Sequence, residues 1–176
     1  MNNKIESQLN HIDAQLEMLL SDLKQYSEED LNRKPSSNAW SAIQLMHHLI
    51  LAETLSLKYV QKKLSFNPPL KPIGIGTKFR LLLYRIYNVL PVKFKAPEGI
   101  SGTNLPAYAT FVETAEKWRT QRQQLRQYLS TLSADYFQKE IYKHPFAGRM
   151  SLQGMLFTFE GHMERHRKQF KKLLAH

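Results

Sequence analysis

The sequence predicts an all-α protein, a four-helix bundle with an additional short helix in the crossover between the second and third long helices. Three observations predict it. Four long stretches place apolar residues three and four apart, the spacing that draws one apolar stripe along a helix. Proline and glycine gather between those stretches, as at Asn67-Pro68-Pro69 and Pro72-x-Gly74-x-Gly76. No convincing strand pair, repeat or low-complexity tract interrupts the pattern. A chain of 176 residues can bury a substantial core in one unit, so residues 1–176 are read as a single domain.

The first helix is expected from about Ile5 to Leu23, where Ile5, Leu9, Ile12, Leu16, Leu19 and Leu23 alternate by four and three. Ser27 to Ala39 is polar and reads as a loop, with one turn of helix at Glu28 to Leu31. The second helix starts at Ser41, which forms a capping-box pattern with Gln44, and continues to about Leu64 before Asn67-Pro68-Pro69 ends it. Residues 65–105 form the irregular crossover, with a helix over Thr77 to Leu90 stopped near Pro91 and flanked by Pro97, Gly99 and Gly102. That helix is apolar and basic together. It reads either as a lid or membrane-surface helix, or as a helix packed across the bundle with its lysines in solvent.

The third long helix is expected to begin at Pro106 and run to about Leu132, with a stripe of Tyr108, Phe111, Ala115, Trp118, Arg122, Leu125, Leu129 and Leu132. Arg122 breaks this apolar seam. A guanidinium placed inward needs an acidic partner or a ligand; otherwise it snorkels to the surface along its aliphatic stem. A short helical turn covers Ala134 to Gln138, and His144 to Met150 reads as a turn. Ser151 caps the fourth long helix, which runs to about Leu174. Its stripe is Leu152, Met155 or Leu156, Phe159, His162 or Met163, His166, Phe170 and Leu173. Short connections favour antiparallel neighbours in such a bundle.

The absence of cysteine excludes disulfides, thiolate metal sites and a cysteine nucleophile. The start, Met-Asn-Asn-Lys-Ile-Glu, lacks the apolar run of a signal peptide, and Leu81-Leu82-Leu83-Tyr84 is too short to span a bilayer. A cytoplasmic protein is the expectation. The formal charge is +10, and no acidic residue occurs between Thr54 and Pro97, where Lys58, Lys62, Lys63, Lys71, Lys78, Arg80, Arg85, Lys93 and Lys95 fall. Such charge draws anions, or is a solvated basic surface. Nucleic acid has only this charge in its favour, because no recognition motif accompanies it.

His162 and His166 carry the chemistry. Residues four apart share a helix face, so both imidazoles project from the inward stripe. Each ring must place a donor and an acceptor, and burying both is eased by a metal ion that takes one nitrogen from each. His47 or His48 in the second helix would supply a third ligand. His47 shares a stripe with Ile43, Ile50 and Thr54, and His48 with Leu45, Ala52, Leu55 and Tyr59, so periodicity does not choose between them. Three protein ligands leave coordination positions open, the mark of a reactive centre.

Trp40-Ser41-x-x-Gln44-x-x-x-His48-Leu49 resembles the signature of the DinB/YfiT-like superfamily of four-helix metalloproteins. His144-Pro145-x-x-Gly148-x-x-Ser151-Leu152 and His162-x-x-Arg165-His166-x-x-Gln169 resemble the family's later motifs and follow in the same order. The crossover from about Ser65 to Leu105 follows the pattern least well.

The resemblance implies a three-histidine site at His48, His162 and His166 that binds zinc or nickel, and a homodimer. It also implies transfer of a low-molecular-weight thiol of the bacillithiol or mycothiol kind, bound as a thiolate that attacks an electrophilic small molecule. The chain has no cysteine, so a cosubstrate supplies the sulfur. Arg122 is a candidate anchor for a cosubstrate carboxylate, while Gln44, Glu53 and Gln169 are candidates to orient imidazoles or polar substrate groups. Capping and packing are the competing roles for each. A metal-dependent hydrolase, and a non-catalytic helical protein that binds metal, anions or nucleic acid, are the alternative readings.

Overall fold

A computed structural model describes residues 3–89 and 105–175. Its four long helices are α1 (Asn3–Leu23), α3 (Ala42–Ser65), α5 (Phe111–Thr131) and α6 (Leu152–Leu173). A short helix, α2 (Glu28–Asn32), lies between α1 and α3, and α4 (Ile75–Val89) lies in the crossover between α3 and α5. The expected stop at Pro91, and Pro97, Gly99 and Gly102, lie outside the described residues.

Local chemistry sets the boundaries. Ser41 Oγ accepts from Gln44 N at 3.2 Å while Gln44 Oε1 accepts from Ser41 N at 3.2 Å, which completes the capping box of α3. Past its other end, Asn67 adopts φ 43°, a left-handed conformation that asparagine tolerates well and that stops the helix before Pro68. Ser151 Oγ likewise accepts from Gly154 N at the start of α6.

Two expectations about local elements need correction. The third long helix starts at Phe111 rather than Pro106, because Thr110 caps it through Glu113 N and Tyr108 is exposed. Residues 142–150 are a two-stranded antiparallel hairpin, not a simple turn: β1 (Tyr142–His144) pairs with β2 (Gly148–Met150). Gly148 takes φ +75° at the hairpin's corner, where a β-carbon would be strained. Strands of three residues are too short to display an alternating pattern.

Cross-helix pairs give the helix directions. Arg119 binds Glu17 and Arg126 binds Asp13, so α5 runs antiparallel to α1. His11 approaches Glu160, and Arg167 approaches Asp22, so α6 runs parallel to α1. Across the bundle, His47 meets Thr114 and Glu53 meets Arg122, so α3 and α5 are parallel. Neighbours are therefore not uniformly antiparallel. The consecutive helices α1 and α3 oppose each other diagonally, and the parallel α3–α5 pair requires the chain to return along the bundle, which is why a long crossover separates them.

The core divides into two apolar clusters. One joins Leu16–Leu23 of α1 to Met46, Leu49, Trp118, Met163 and Phe170. The other joins Ile5, Leu9 and Ile12 to Leu57, Val60, Leu125, Met155 and Phe159. Between them each long helix contributes polar side chains: Asp13, Glu53, Arg122 and His162. Arg122 does not snorkel. It is 3% exposed and forms a two-pronged ion pair with Glu53, Nε to Oε2 at 2.6 Å and Nη2 to Oε1 at 2.7 Å.

Candidate metal centre

Three imidazoles converge where α3 crosses α6. His48 Nε2 lies 3.2 Å from His162 Nε2, and His166 Nε2 lies 2.9 Å from the same atom. One nitrogen from each ring falls within 4.8 Å of the other two. Nitrogens bound to one ion at 2.0–2.1 Å in a tetrahedral arrangement stand about 3.3 Å apart. The observed spacing thus has the dimensions of a shared ion. Among the described residues this is the one grouping of metal-binding side chains so close together.

The sequence positions these rings for separate reasons. His162 and His166 sit one turn apart on α6. His48 reaches them because α3 runs antiparallel beside α6, with Leu45 and Leu49 buried on either side of it. Trp40 packs on the His48 ring at 4.9 Å between centroids, so the residue just before the helix cap shields the imidazole. His47 turns away toward α5, where its Nε2 lies 3.3 Å from Thr114 Oγ1. His48 and His166 are buried, and His162 is the least buried of the three.

Electrostatics keep the rings ready for a cation. Burial, followed by the proximity of His166 and His48, pushes His162 well below the usual imidazole range. Burial lowers His166 to about 4, with His48 and Arg165 adding to the shift and the Gln169 hydrogen bond opposing it. These two imidazoles are neutral at pH 7, the form that binds metal. Gln169 Oε1 lies 2.5 Å from His166 Nδ1. A carbonyl oxygen there assigns the proton to Nδ1 and leaves the Nε2 lone pair directed at the cluster.

Gln169 thus faces an imidazole, whereas Gln44 and Arg122 are engaged elsewhere. Gln44 uses Oε1 for the α3 cap and donates Nε2 to Pro106 O at 3.0 Å, which ties the chain ahead of α5 to α3. Arg122, expected as an anchor for a cosubstrate carboxylate, instead binds the protein's own Glu53. Its Nη1 is 3.5 Å from Asp13 Oδ1, beyond good hydrogen-bonding distance. Glu53 also accepts from Trp118 Nε1, so it orients no imidazole of the cluster.

One nearby residue was not singled out by periodicity. His144 Nδ1 accepts from the backbone N–H groups of Phe146 and Ala147 at 3.2 and 3.1 Å, which leaves the ring proton on Nε2. Its ring stacks edgewise on Tyr84, whose hydroxyl donates to Thr158 O, one turn before His162 on α6. Burial lowers His144 to about 4, and His144 contributes to the depression of His162. Its place in the His144-Pro145 turn motif was the signal available.

These shifts set an acid limit. Well above pH 6.5 both folded and unfolded rings are neutral. As pH falls toward about 4, the unfolded chain takes up protons first, so the stability of the metal-free protein decreases across that window. The expected loss is about 3 kcal/mol from His166 alone. Urea midpoints of the metal-free protein across the window test this; a flat profile would contradict it.

Comparison with known proteins adds the wider setting. The model of the DinB superfamily matches residues 9–170. Among solved structures, YfiT from Bacillus subtilis superposes with a TM-score of 0.61 at 13% identity, covering 98% of this chain and 87% of that one. That protein is described as a probable metal-dependent hydrolase with an unusual four-helix bundle topology. No curated protein matches the sequence.

Proposed function

Because the chain belongs to the DinB superfamily, we propose that it is a metal-dependent enzyme in which His48, His162 and His166 hold one divalent ion, zinc or nickel, beside a small-molecule substrate. The observation that carries this reading is the convergence of the three Nε2 atoms, with Gln169 behind one of them. The donor set suits such an ion, since neutral imidazoles bind zinc and nickel well. A divalent ion held only by neutral nitrogens keeps its full charge and makes an adjacent water or thiol much more acidic.

The protein's own groups perform the remaining work. His48, His162 and His166 would fix the position of the centre, with His162, the least buried of them, on the side that substrate would approach. Gln169 holds the His166 proton at Nδ1, which preserves the ligating lone pair. Trp40 and the flanking leucines keep bulk water from His48. His144 presents a neutral N–H donor in the same region.

The finer assignment is transfer of a low-molecular-weight thiol such as bacillithiol to an electrophile. The chain contains no cysteine, so the sulfur comes from the cosubstrate. Incubating metal-loaded protein with a model electrophile, with and without the thiol, tests this. Conjugate formation that needs metal and thiol, and disappears in His162→Ala, is expected. Thiol-independent hydrolysis that still requires metal would replace the transferase assignment with a hydrolase. Metal binding without turnover of either kind would leave a binding protein.

A further inference from the structure

α4 carries its apolar side outward. Ile75, Phe79, Leu82, Leu83 and Ile86 are exposed by 47–87%, and on a helical wheel they occupy one arc of about 100°. The inward side is fastened by polar contacts. Tyr84 donates to Thr158 O, Thr77 bonds to Glu140, and Arg80 pairs with Glu140 and donates to Arg149 O. An ordinary surface helix does the reverse and buries its apolar stripe. The inverted placement is fixed by α6 and the β1–β2 hairpin; Gly154 of α6 admits Leu81 so closely that a β-carbon there would lie 3.2 Å from it.

Among the described residues, the charged side chains that α4 itself carries are all cationic. Lys78 and Arg85 border one edge of the apolar arc, beside Leu82, and are exposed, although the Arg85 guanidinium also lies over the Phe157 ring at 5.2 Å. Lys63 lies close to Arg149 and to Glu140, and no acidic residue occurs from Thr54 to Pro97. Glu140, the acid in contact with α4, is neutralised by Arg80. A twofold pairing of α4 faces would bring these cations together. An anionic lipid surface instead matches both the apolar arc and its basic flank.

We propose that α4 docks the protein on anionic phospholipid bilayers, with Ile75, Phe79, Leu82, Leu83 and Ile86 entering the interface and Lys78 and Arg85 contacting the headgroups. The helix lies in the bilayer plane. No helix among the described residues is long and apolar enough to cross a membrane. Tyr84, on the reverse side, is bonded one turn before His162, so docking holds the histidine cluster on the order of one helix diameter, ~10 Å, from the lipid.

Flotation of the metal-loaded full chain with vesicles tests the proposal. Vesicles of phosphatidylcholine with one-third phosphatidylglycerol are expected to carry the protein at low salt. Pure phosphatidylcholine vesicles are not. Lys78→Glu/Arg85→Glu and, separately, Phe79→Ser/Leu83→Ser should each reduce binding at least about tenfold, with metal content and melting unchanged. The charge variant keeps the test valid if the apolar variant fails to fold. Equal binding to neutral vesicles, no binding to either, or wild-type binding by the charge variant would overturn the proposal. Light scattering that shows a dimer dispersed by Phe79→Ser/Leu83→Ser, without lipid binding, would overturn it in favour of a second copy.

Discussion

Glu53→Ala is expected to destabilise the protein by about 3–5 kcal/mol, because it leaves a buried guanidinium without its carboxylate. Glu53 and Arg122 are 2% and 3% exposed, so water does not replace the lost partner. Asp13 stands 3.5 Å from the Nη1 of Arg122 and compensates weakly. The Trp118 indole N–H loses its acceptor in the same substitution. Removing both charges is a different case. Glu53→Leu/Arg122→Met replaces the pair with apolar groups and should restore most of the loss, since a buried ion pair contributes little beyond an apolar equivalent. Urea denaturation of the single and double variants distinguishes these outcomes. A loss below about 1 kcal/mol for Glu53→Ala would mean that the pair is not sealed from water.

The second large effect concerns metal content. One zinc or nickel per chain is expected in protein purified without an affinity tag, falling to background in His48→Ala and in His166→Ala. Gln169→Ala should retain the ion with affinity reduced about 10–100-fold, the usual cost of losing a group that orients a ligand. His47→Ala should bind as well as the wild type, because His47 faces Thr114 and not the cluster. Elemental analysis and competition with a chelator measure all four. Normal metal content in His48→Ala together with its loss in His47→Ala would reverse the assignment of the third ligand.

Much of this architecture was legible from spacing alone. The α1 stripe from Ile5 to Leu23 is buried as expected, and the Ser41–Gln44 pattern is a complete capping box. Both features are local, so a few neighbouring residues determine them. The Arg122 anomaly was visible too, but its partner was not: Glu53 is 69 residues away, and only the parallel packing of α3 and α5 joins them. The same applies to His47 and His48. Each lies on a partly apolar stripe, and the position of α6 decides which one meets His162 and His166. The hairpin escaped because its strands are three residues long. In α4 the apolar periodicity marked a helix correctly, yet it carried no information about which side faces out. That was decided by hydrogen bonds to Glu140 and Thr158, far along the chain.

The separation between His48 and His162, 114 positions in sequence, has a thermodynamic corollary. A cation gripped by both would act as a removable crosslink between the early and late parts of the polypeptide, enclosing most of α3, the whole crossover and all of α5. Cinching a loop of that length restricts the unravelled chain far more than it alters the native one. Chelation would therefore leave the folded shape almost untouched while raising the share of opened chains, and susceptibility to proteases would report the ion's departure before any change in helical content.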